Sequence, residues 1–130
     1  MKSPRKKIEK KLDDITRELV RKEFHNRCAW CGKPVEGVDS QKSHVKSKGA
    51  YPHLKFDLQN MILLCYRCHI GRWHHEPTEA GVWFKKEFPE RYRYLEKAKK
   101  VRTHHSVKDL EELYEDMTEN YLQLIKGEEN

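Results

Sequence analysis

The chain has 130 residues, of which 36% are hydrophobic and 37% are charged, and its net charge at pH 7 is +6. This length predicts one compact domain with helical additions, not two full domains. No uncharged run approaches the roughly 20 apolar residues that a membrane span needs, and the basic N-terminus lacks the apolar stretch of a signal peptide. We therefore expect a cytoplasmic protein with no membrane partner.

The charge is unevenly distributed along the chain. Residues 1–27 carry 10 basic and 5 acidic side chains, whereas residues 106–130 carry 2 basic and 8 acidic ones. The first 105 residues together have a net charge of +12. A basic body of this kind suits a polyanion such as DNA, although a solvated helical surface would show the same pattern.

The N-terminal segment, residues 1–27, is predicted to form a helix. Its apolar residues recur mostly at steps of three and four, as they do on one face of a helix, from Ile8 through Leu12 to Leu19. Pro4 directly follows Ser3, and proline suits the first position of a helix. The apolar stripe predicts a packing surface against another helix.

Two Cys-x-x-Cys pairs organise the central segment, residues 28–77: Cys28 with Cys31 and Cys65 with Cys68. In a cytosolic protein this spacing favours a metal site over disulfides or a redox motif, which are the alternatives. One tetrahedral zinc ion would take all four thiolates. A small, charge-rich segment needs such a staple because its apolar burial is limited.

Between and after the cysteine pairs, the sequence predicts a hairpin followed by a short helix. Leu54, Phe56 and Leu58 alternate with charged residues, which is typical of a half-buried strand. The short helix is expected from His69 onward, although Gly71 disfavours it. The expected unit is therefore ββα, held together by zinc.

The C-terminal segment, residues 78–130, is predicted to be a helical extension. Thr78 is the expected N-cap of its first helix, and Ser106 with Asp109 resembles a capping box at the start of the last one. The acidic last helix should pack against the basic N-terminal helix, within one chain or across a homodimer. Seven cations are expected to project outward and contact phosphates: Lys85, Lys86, Arg91, Arg93, Lys97, Lys99 and Lys100.

The order of these motifs resembles the zinc-containing HNH endonucleases of the ββα-metal, or His-Me finger, superfamily. The resemblance rests on the two cysteine pairs with Ser43-His44 and Asn60 between them and His69 directly after Cys68. The stretch that includes Trp73-His74-x-x-Pro77 is most similar to phage recombination nucleases of the NinG/Rap type. The resemblance implies an α+β fold: a small zinc-stapled ββα-metal core flanked by N-terminal and C-terminal helices.

The resemblance also implies a function, the metal-dependent hydrolysis of DNA phosphodiester bonds. Branched recombination structures are the suggested substrate, in the host-cell cytoplasm if the chain is phage-encoded. His44 would be the general base, since histidine's ordinary pKa of about 6.5 leaves it mostly neutral at pH 7. Asn60 would fix the loop that carries His44, and His69 would hold a catalytic Mg²⁺ or Mn²⁺.

One position departs from the family pattern. Many members have an aspartate or histidine before the base, as a metal ligand, whereas this chain has Ser43. A lone serine hydroxyl is a poor ligand, so we expect His74 as the second protein ligand, with His75 and His53 as alternatives. The departure keeps a second function open, a non-catalytic zinc-knuckle DNA-binding module. A purely structural zinc protein would leave the histidine series unexplained.

Overall fold

The structure is a computed structural model and describes residues 2–129. Helices and one two-stranded antiparallel sheet make up its regular structure, which confirms the α+β prediction. A π-helical stretch, His69–His74, continues the short second helix. The elements in chain order are α1 (Pro4–Glu23), β1 (Gln41–His44), β2 (Met61–Leu64), α2 (Tyr66–Cys68), α3 (Pro77–Glu87), α4 (Pro89–Ala98) and α5 (Val107–Glu129).

The chain divides into two compact units. The core unit is Val20–Arg102 and holds the cysteine pairs and the sheet. The terminal unit comprises residues 2–19 and 103–129 of the described chain, and therefore the first part of α1 with α5. The predicted pairing of the N-terminal and C-terminal helices is confirmed within one chain.

Within the terminal unit, α1 and α5 run in the same direction. Arg5 donates a hydrogen bond to the carbonyl of His105 at 2.7 Å, and the Lys11 ammonium lies 5.7 Å from the centre of the Tyr114 ring. The contact made by the earlier residue, Arg5, is with the earlier partner, His105, and the contact made by Lys11 is with the later partner, Tyr114. The two helices therefore run parallel. Apolar residues of both helices are buried in this unit, namely Ile8, Leu12, Leu110 and Met117.

Local sequence determines where both terminal helices start. The Ser3 hydroxyl accepts a hydrogen bond from the backbone N–H of Lys6 at 3.2 Å, and α1 begins at Pro4 as predicted. Ser106 and Asp109 form the predicted capping box, because each backbone N–H donates to the other residue's side chain. Both predictions are confirmed.

The core unit is built on the hairpin of β1 and β2. Gln41 pairs with Leu64 and His44 with Met61, and all four residues of β2 are fully buried. A strand with both faces covered has a continuous apolar sequence in place of an alternating one. The helices α3 and α4 contribute Phe84 and Leu95 to the same core.

The strand predicted across residues 54–58 is wrong. Two 3₁₀ turns, Pro52–Leu54 and Leu58–Asn60, occupy this region instead. Proline starts the first turn, and the Asp57 carboxylate caps the second by accepting from the N–H of Gln59 at 2.9 Å. The turn chemistry of proline and aspartate outweighs the alternating pattern.

The first helix after the core segment also starts differently from the prediction. Pro77 occupies the first position of α3 and Glu76 precedes it, so Thr78 is not the N-cap. Pro89 separates α3 from α4 at Phe88, since the residue before proline is disfavoured in the helical region. Among the described residues, no helix is both long and apolar enough to cross a membrane.

Candidate functional site

The four cysteines lie together in the core unit. Their sulfur atoms all lie within 4.8 Å of one another, and the Cys31 and Cys65 sulfurs are 3.9 Å apart. Four thiolates bonded to zinc at about 2.3 Å occupy the corners of a tetrahedron with edges of about 3.8 Å. The arrangement therefore fits one zinc ion, as the sequence predicts.

Backbone hydrogen bonds shape each cysteine pair into a turn around its sulfurs. In the first turn the N–H of Cys31 donates to the Cys28 sulfur at 3.5 Å, and in the second the N–H of Cys68 donates to the Cys65 sulfur at 3.4 Å. Gly32 ends the first turn with a φ of +79°, a conformation that glycine adopts without strain. These donors stabilise thiolates over thiols.

The electrostatics of the cluster also favour a bound cation. Burial raises the pKa of Cys28, but backbone N–H groups that donate to its sulfur more than offset this effect and lower the pKa to about 7. Burial, together with the neighbouring sulfurs, raises the pKa of Cys68. Four crowded sulfurs cannot all be ionised unless a positive charge lies among them. Zinc would supply that charge and connect the two turns.

The first cysteine turn is attached directly to the sheet. The N–H of Ala29 donates to the carbonyl of Leu63 in β2 at 2.7 Å. The second turn follows β2 without a gap, because Cys65 is the next residue after Leu64. A zinc ion in the cluster would therefore fix the end of the hairpin that leads into α2.

His44 is the last residue of β1, and a backbone carbonyl orients its ring. Its Nε2 lies 2.8 Å from the carbonyl oxygen of Lys55. A carbonyl only accepts hydrogen bonds, so Nε2 must carry the proton of the neutral ring and Nδ1 must carry the lone pair. The side chain is half-buried. This arrangement provides an oriented base at the end of the strand.

Asn60 is fully buried and joins both ends of the loop that follows His44. Its side-chain oxygen accepts from the N–H of Lys46 at 2.7 Å, and its amide nitrogen donates to the carbonyls of Lys46 and Leu54 at 3.0 and 3.1 Å. A single asparagine thus pairs three backbone groups of the loop. Such bonds hold the loop in one conformation.

His69 and His74 meet across the π-helical stretch. Their Nε2 atoms are 2.9 Å apart, and Nδ1 of His69 lies 2.6 Å from the side-chain oxygen of Gln41. That oxygen accepts the Nδ1 proton, which leaves the Nε2 lone pair of His69 available for a ligand. Burial lowers the pKa of His69, and the nearby His74 lowers it further by a smaller amount, so both favour the neutral form of His69.

The histidine pair matches two ligands of a small divalent cation. Neighbouring octahedral ligands at about 2.1 Å from Mg²⁺ lie about 3 Å apart, close to the observed spacing of the two Nε2 atoms. In the described part of the chain, no third ligating side chain completes a cluster with them. Two protein ligands leave coordination positions for water and phosphate oxygens.

The other candidate ligands lie elsewhere or make other contacts. Ser43 is 1% exposed, and its hydroxyl has no hydrogen-bond partner among the described residues. It is therefore buried, unlike His74, which is exposed. His53 contacts the end of α4 instead: its Nε2 donates a hydrogen bond to the carbonyl oxygen of Ala98 at 3.0 Å. His75 is exposed.

Two residues that support the histidines were not predicted. Gln41 holds His69, and the indole N–H of Trp73 donates to the carbonyl of His44 at 3.3 Å. The Trp73 bond ties the π-helical stretch to the end of β1. A polar residue at the start of a strand gives no signal of such a role in the sequence.

The cations of α3 and α4 are mostly exposed, with two exceptions. The side chain of Arg91 is only 10% exposed; it donates to the carbonyl of Met61 at 2.7 Å and pairs with Glu23. Its predicted outward position is wrong, because it connects α4 to α1 and β2. Lys99 pairs with Glu96 at 2.5 Å. The exposed cations are Lys85, Lys86, Arg93, Lys97 and Lys100.

Comparison with known proteins gives one match. No curated protein and no solved structure matches this chain. The family model described as HNH endonuclease matches residues 28–72, a segment that contains the four cysteines, His44, Asn60 and His69. The four-cysteine cluster and this match together indicate a nuclease or DNA-binding role for the core unit.

Proposed function

We propose that this protein is a metal-dependent HNH endonuclease that hydrolyses phosphodiester bonds in DNA. The observation that carries the proposal is the pair of Nε2 atoms of His69 and His74, 2.9 Å apart beside the strand that ends in His44. An oriented base and a two-ligand cation site are the two parts that this hydrolysis needs. The matched segment supports the same reading.

In this mechanism His44 acts as the general base. Its Nδ1 takes a proton from water, and the resulting hydroxide attacks the phosphorus of the scissile phosphate. One P–O ester bond breaks, and the leaving alkoxide takes up a proton from solvent. Hydrogen bonding of Nε2 to the carbonyl of Lys55 keeps the ring in the orientation and tautomer that this step requires.

His69 and His74 would hold the catalytic cation, Mg²⁺ or Mn²⁺. Such a cation supplies charge stabilisation at the phosphate and at the leaving oxygen. Gln41 orients His69 through Nδ1, as a hydrogen-bond partner commonly does for a metal-bound histidine. Trp73 lies between the two ligands in the sequence and fixes their helical stretch against His44.

The surface charge supports DNA as the substrate. The exposed cations of α3 and α4 lie in the core unit that also contains the candidate site. Contacts between such side chains and phosphates bind DNA without regard to sequence and weaken as salt rises. Branched DNA, as cut during phage recombination, is the more specific substrate that we propose for this surface.

The decisive experiment compares His44→Ala with a matched control, His104→Ala, in the exposed segment outside the core unit. With plasmid DNA and Mg²⁺ or Mn²⁺, His44→Ala should cut about 10²–10⁴-fold more slowly than wild type, the usual contribution of a general base. Zinc content and DNA affinity should not change. The control should cut at the wild-type rate, and EDTA should stop all cutting.

The metal ligands are tested separately, by Mn²⁺ titration. His69→Ala and His74→Ala should each raise the Mn²⁺ concentration that gives half-maximal cutting, and excess Mn²⁺ should partly restore the rate. Wild-type protein that binds DNA but cuts none at any Mg²⁺ or Mn²⁺ concentration would instead favour the non-catalytic DNA-binding module. A His44→Ala protein that cuts at the wild-type rate would refute the assignment of the base.

A further inference from the structure

A partly open cavity of about 250 Å³ lies beside the candidate active site, within the core unit. Its lining is mostly apolar and aromatic and includes one cation, Lys46. The lining comes from the loop after β1, the π-helical stretch, α3 and α4, and includes Val45, Lys46, Trp73, Gly81, Phe84 and Tyr92.

The cavity is adjacent to the residues of the proposed mechanism. Val45 and Lys46 directly follow His44 in the chain. Trp73 lines the cavity and also donates its indole N–H to the carbonyl of His44 at 3.3 Å. A nucleotide whose phosphate lies at His44 would therefore have its base within reach of this cavity.

The charged side of the cavity is held rigidly. Asn60 pairs both the N–H and the carbonyl of Lys46, and the Lys46 ammonium lies 2.7 Å from the Glu96 carboxylate. Lys99 pairs with the same carboxylate at 2.5 Å. This group of three side chains keeps a net charge of +1, which suits the phosphate on either side of a bound nucleotide.

We propose that this cavity holds one unpaired nucleobase of the substrate, next to the phosphate that is cut. The proposal rests on the proposed nuclease function and specifies its substrate as DNA with an unpaired or extruded nucleotide. Aromatic side chains such as Trp73 and Tyr92 offer faces on which any base can stack. A base that is paired within a duplex cannot reach such a cavity unless it leaves the stack.

The dimensions support a single base as the occupant. The volume far exceeds the share of one water molecule, about 30 Å³, and falls just below the roughly 300 Å³ at which pockets for larger ligands begin. A base pair would need space in the cavity for nucleotides of both strands. One flat ring system beside the aromatic side chains is the occupant that this volume favours.

Gly81 provides a variant that fills the cavity without disturbing the fold. A Cβ atom added there meets no atom within 4 Å, and the residue lies inside α3, where other residues are tolerated better than glycine. Gly81→Leu should therefore obstruct the cavity in a folded protein. Val82→Leu, at the next position with 67% exposure, is the matched control. Tyr92→Leu is a second test, because it removes an aromatic face.

The first measurement is binding, in a His44→Ala background and without added divalent cation, so that cutting does not interfere. The probe is a duplex with one unpaired 2-aminopurine, whose fluorescence falls when the base stacks on an aromatic side chain. We expect quenching on binding, loss of that quenching with Gly81→Leu or Tyr92→Leu, and no loss with Val82→Leu. Quenching that survives both cavity variants would overturn the proposal.

The second measurement is cutting, on a duplex with one unpaired nucleotide and on the same duplex with an abasic analogue at that position. Wild type should cut the base-bearing duplex about tenfold faster, and Gly81→Leu should bring this ratio close to one. An active wild type with a ratio of one would overturn the base pocket and leave the nuclease function intact. If wild type cuts neither duplex but its cavity-dependent quenching persists, the nuclease function fails and the base pocket stands.

Discussion

Asn60 gives the sharpest test of how the loop after His44 is held, through the substitution Asn60→Asp. The change keeps the size of the side chain but replaces the amide nitrogen with oxygen. The carbonyls of Lys46 and Leu54, now 3.0 and 3.1 Å from a donor, would each face a carboxylate oxygen. Only the bond from the N–H of Lys46 would remain.

The structure sets the size of the effect. Asn60 is completely buried, and each buried group that loses its partner costs about 1–3 kcal/mol. Two such groups lower the free energy of unfolding by about 3 kcal/mol, with more if the carboxylate stays ionised. For a chain of this length, that loss lowers the melting temperature by about 10 °C.

The assay is thermal unfolding of the zinc-loaded protein, followed by cutting at a temperature where every variant is folded. Gln59→Glu is the matched control, since it makes the same amide-to-acid change at the exposed neighbouring position. We expect Asn60→Asp to lose both stability and cutting, and Gln59→Glu to keep both. Melting temperatures within about 2 °C of each other for these two variants would refute the reasoning.

The pH dependence of Asn60→Asp distinguishes lost hydrogen bonds from general damage. A buried carboxyl that faces two carbonyls has a raised pKa, because burial and these neighbours disfavour its charged form. The folded state then binds a proton more tightly than the unfolded state, so stability should rise as the pH falls toward 5. The protonated carboxyl can donate one hydrogen bond and so restores one of the two lost pairs.

Three further predictions concern charge, zinc and assembly. A hydrogen bond from Lys46, and a weaker one from Lys99, lower the pKa of Glu96 from 4.5 to about 2. The ionised Glu96 carboxylate therefore stabilises the folded state by about 1 kcal/mol after solvent screening. This stabilisation is complete above pH 4.5 and is lost as the pH falls toward 2. In urea unfolding, the advantage of wild type over Glu96→Gln should therefore shrink between pH 5 and 3, and a constant difference would contradict the assignment. By elemental analysis, Cys31→Ala should bind less than one zinc per chain, and it should unfold at a lower temperature than wild type. A wild-type protein that folds stably without zinc would contradict the assignment of the four cysteines as a zinc site. Light scattering should report a homodimer formed through the terminal unit, where α5 exposes Leu122 and Leu124, whereas a monomer would exclude the dimer and leave the pairing of α1 with α5 intact.

The features that could be predicted from sequence are those that local chemistry decides. The start of α1 depends on Ser3 and Pro4, and the start of α5 on Ser106 and Asp109, all within one turn of each helix. The spacing of each cysteine pair likewise fixes a turn that directs both sulfurs to one point. Interactions over a few residues leave a readable pattern.

The features that could not be predicted depend on distant parts of the chain. β2 is covered on both faces, so its sequence shows no alternation, whereas the alternating residues from Leu54 to Leu58 form turns. Gln41 meets His69 across 28 residues, and the carbonyl of Lys55 meets His44 across 11. A backbone carbonyl carries no sequence identity, so no motif could have indicated the second contact.

The second cysteine turn also carries one of the two histidines of the proposed cation site. The N–H of His69 donates to the carbonyl of Cys65 at 2.9 Å, and His69 follows Cys68 directly. The backbone that carries His69 is therefore part of the second cysteine turn. Cys65 and Cys68 are buried in the hydrophobic core, so a bound zinc ion would act together with core packing to fix the position of His69. If the proposed cation site is correct, loss of zinc should weaken it as well, because both sites would depend on this turn.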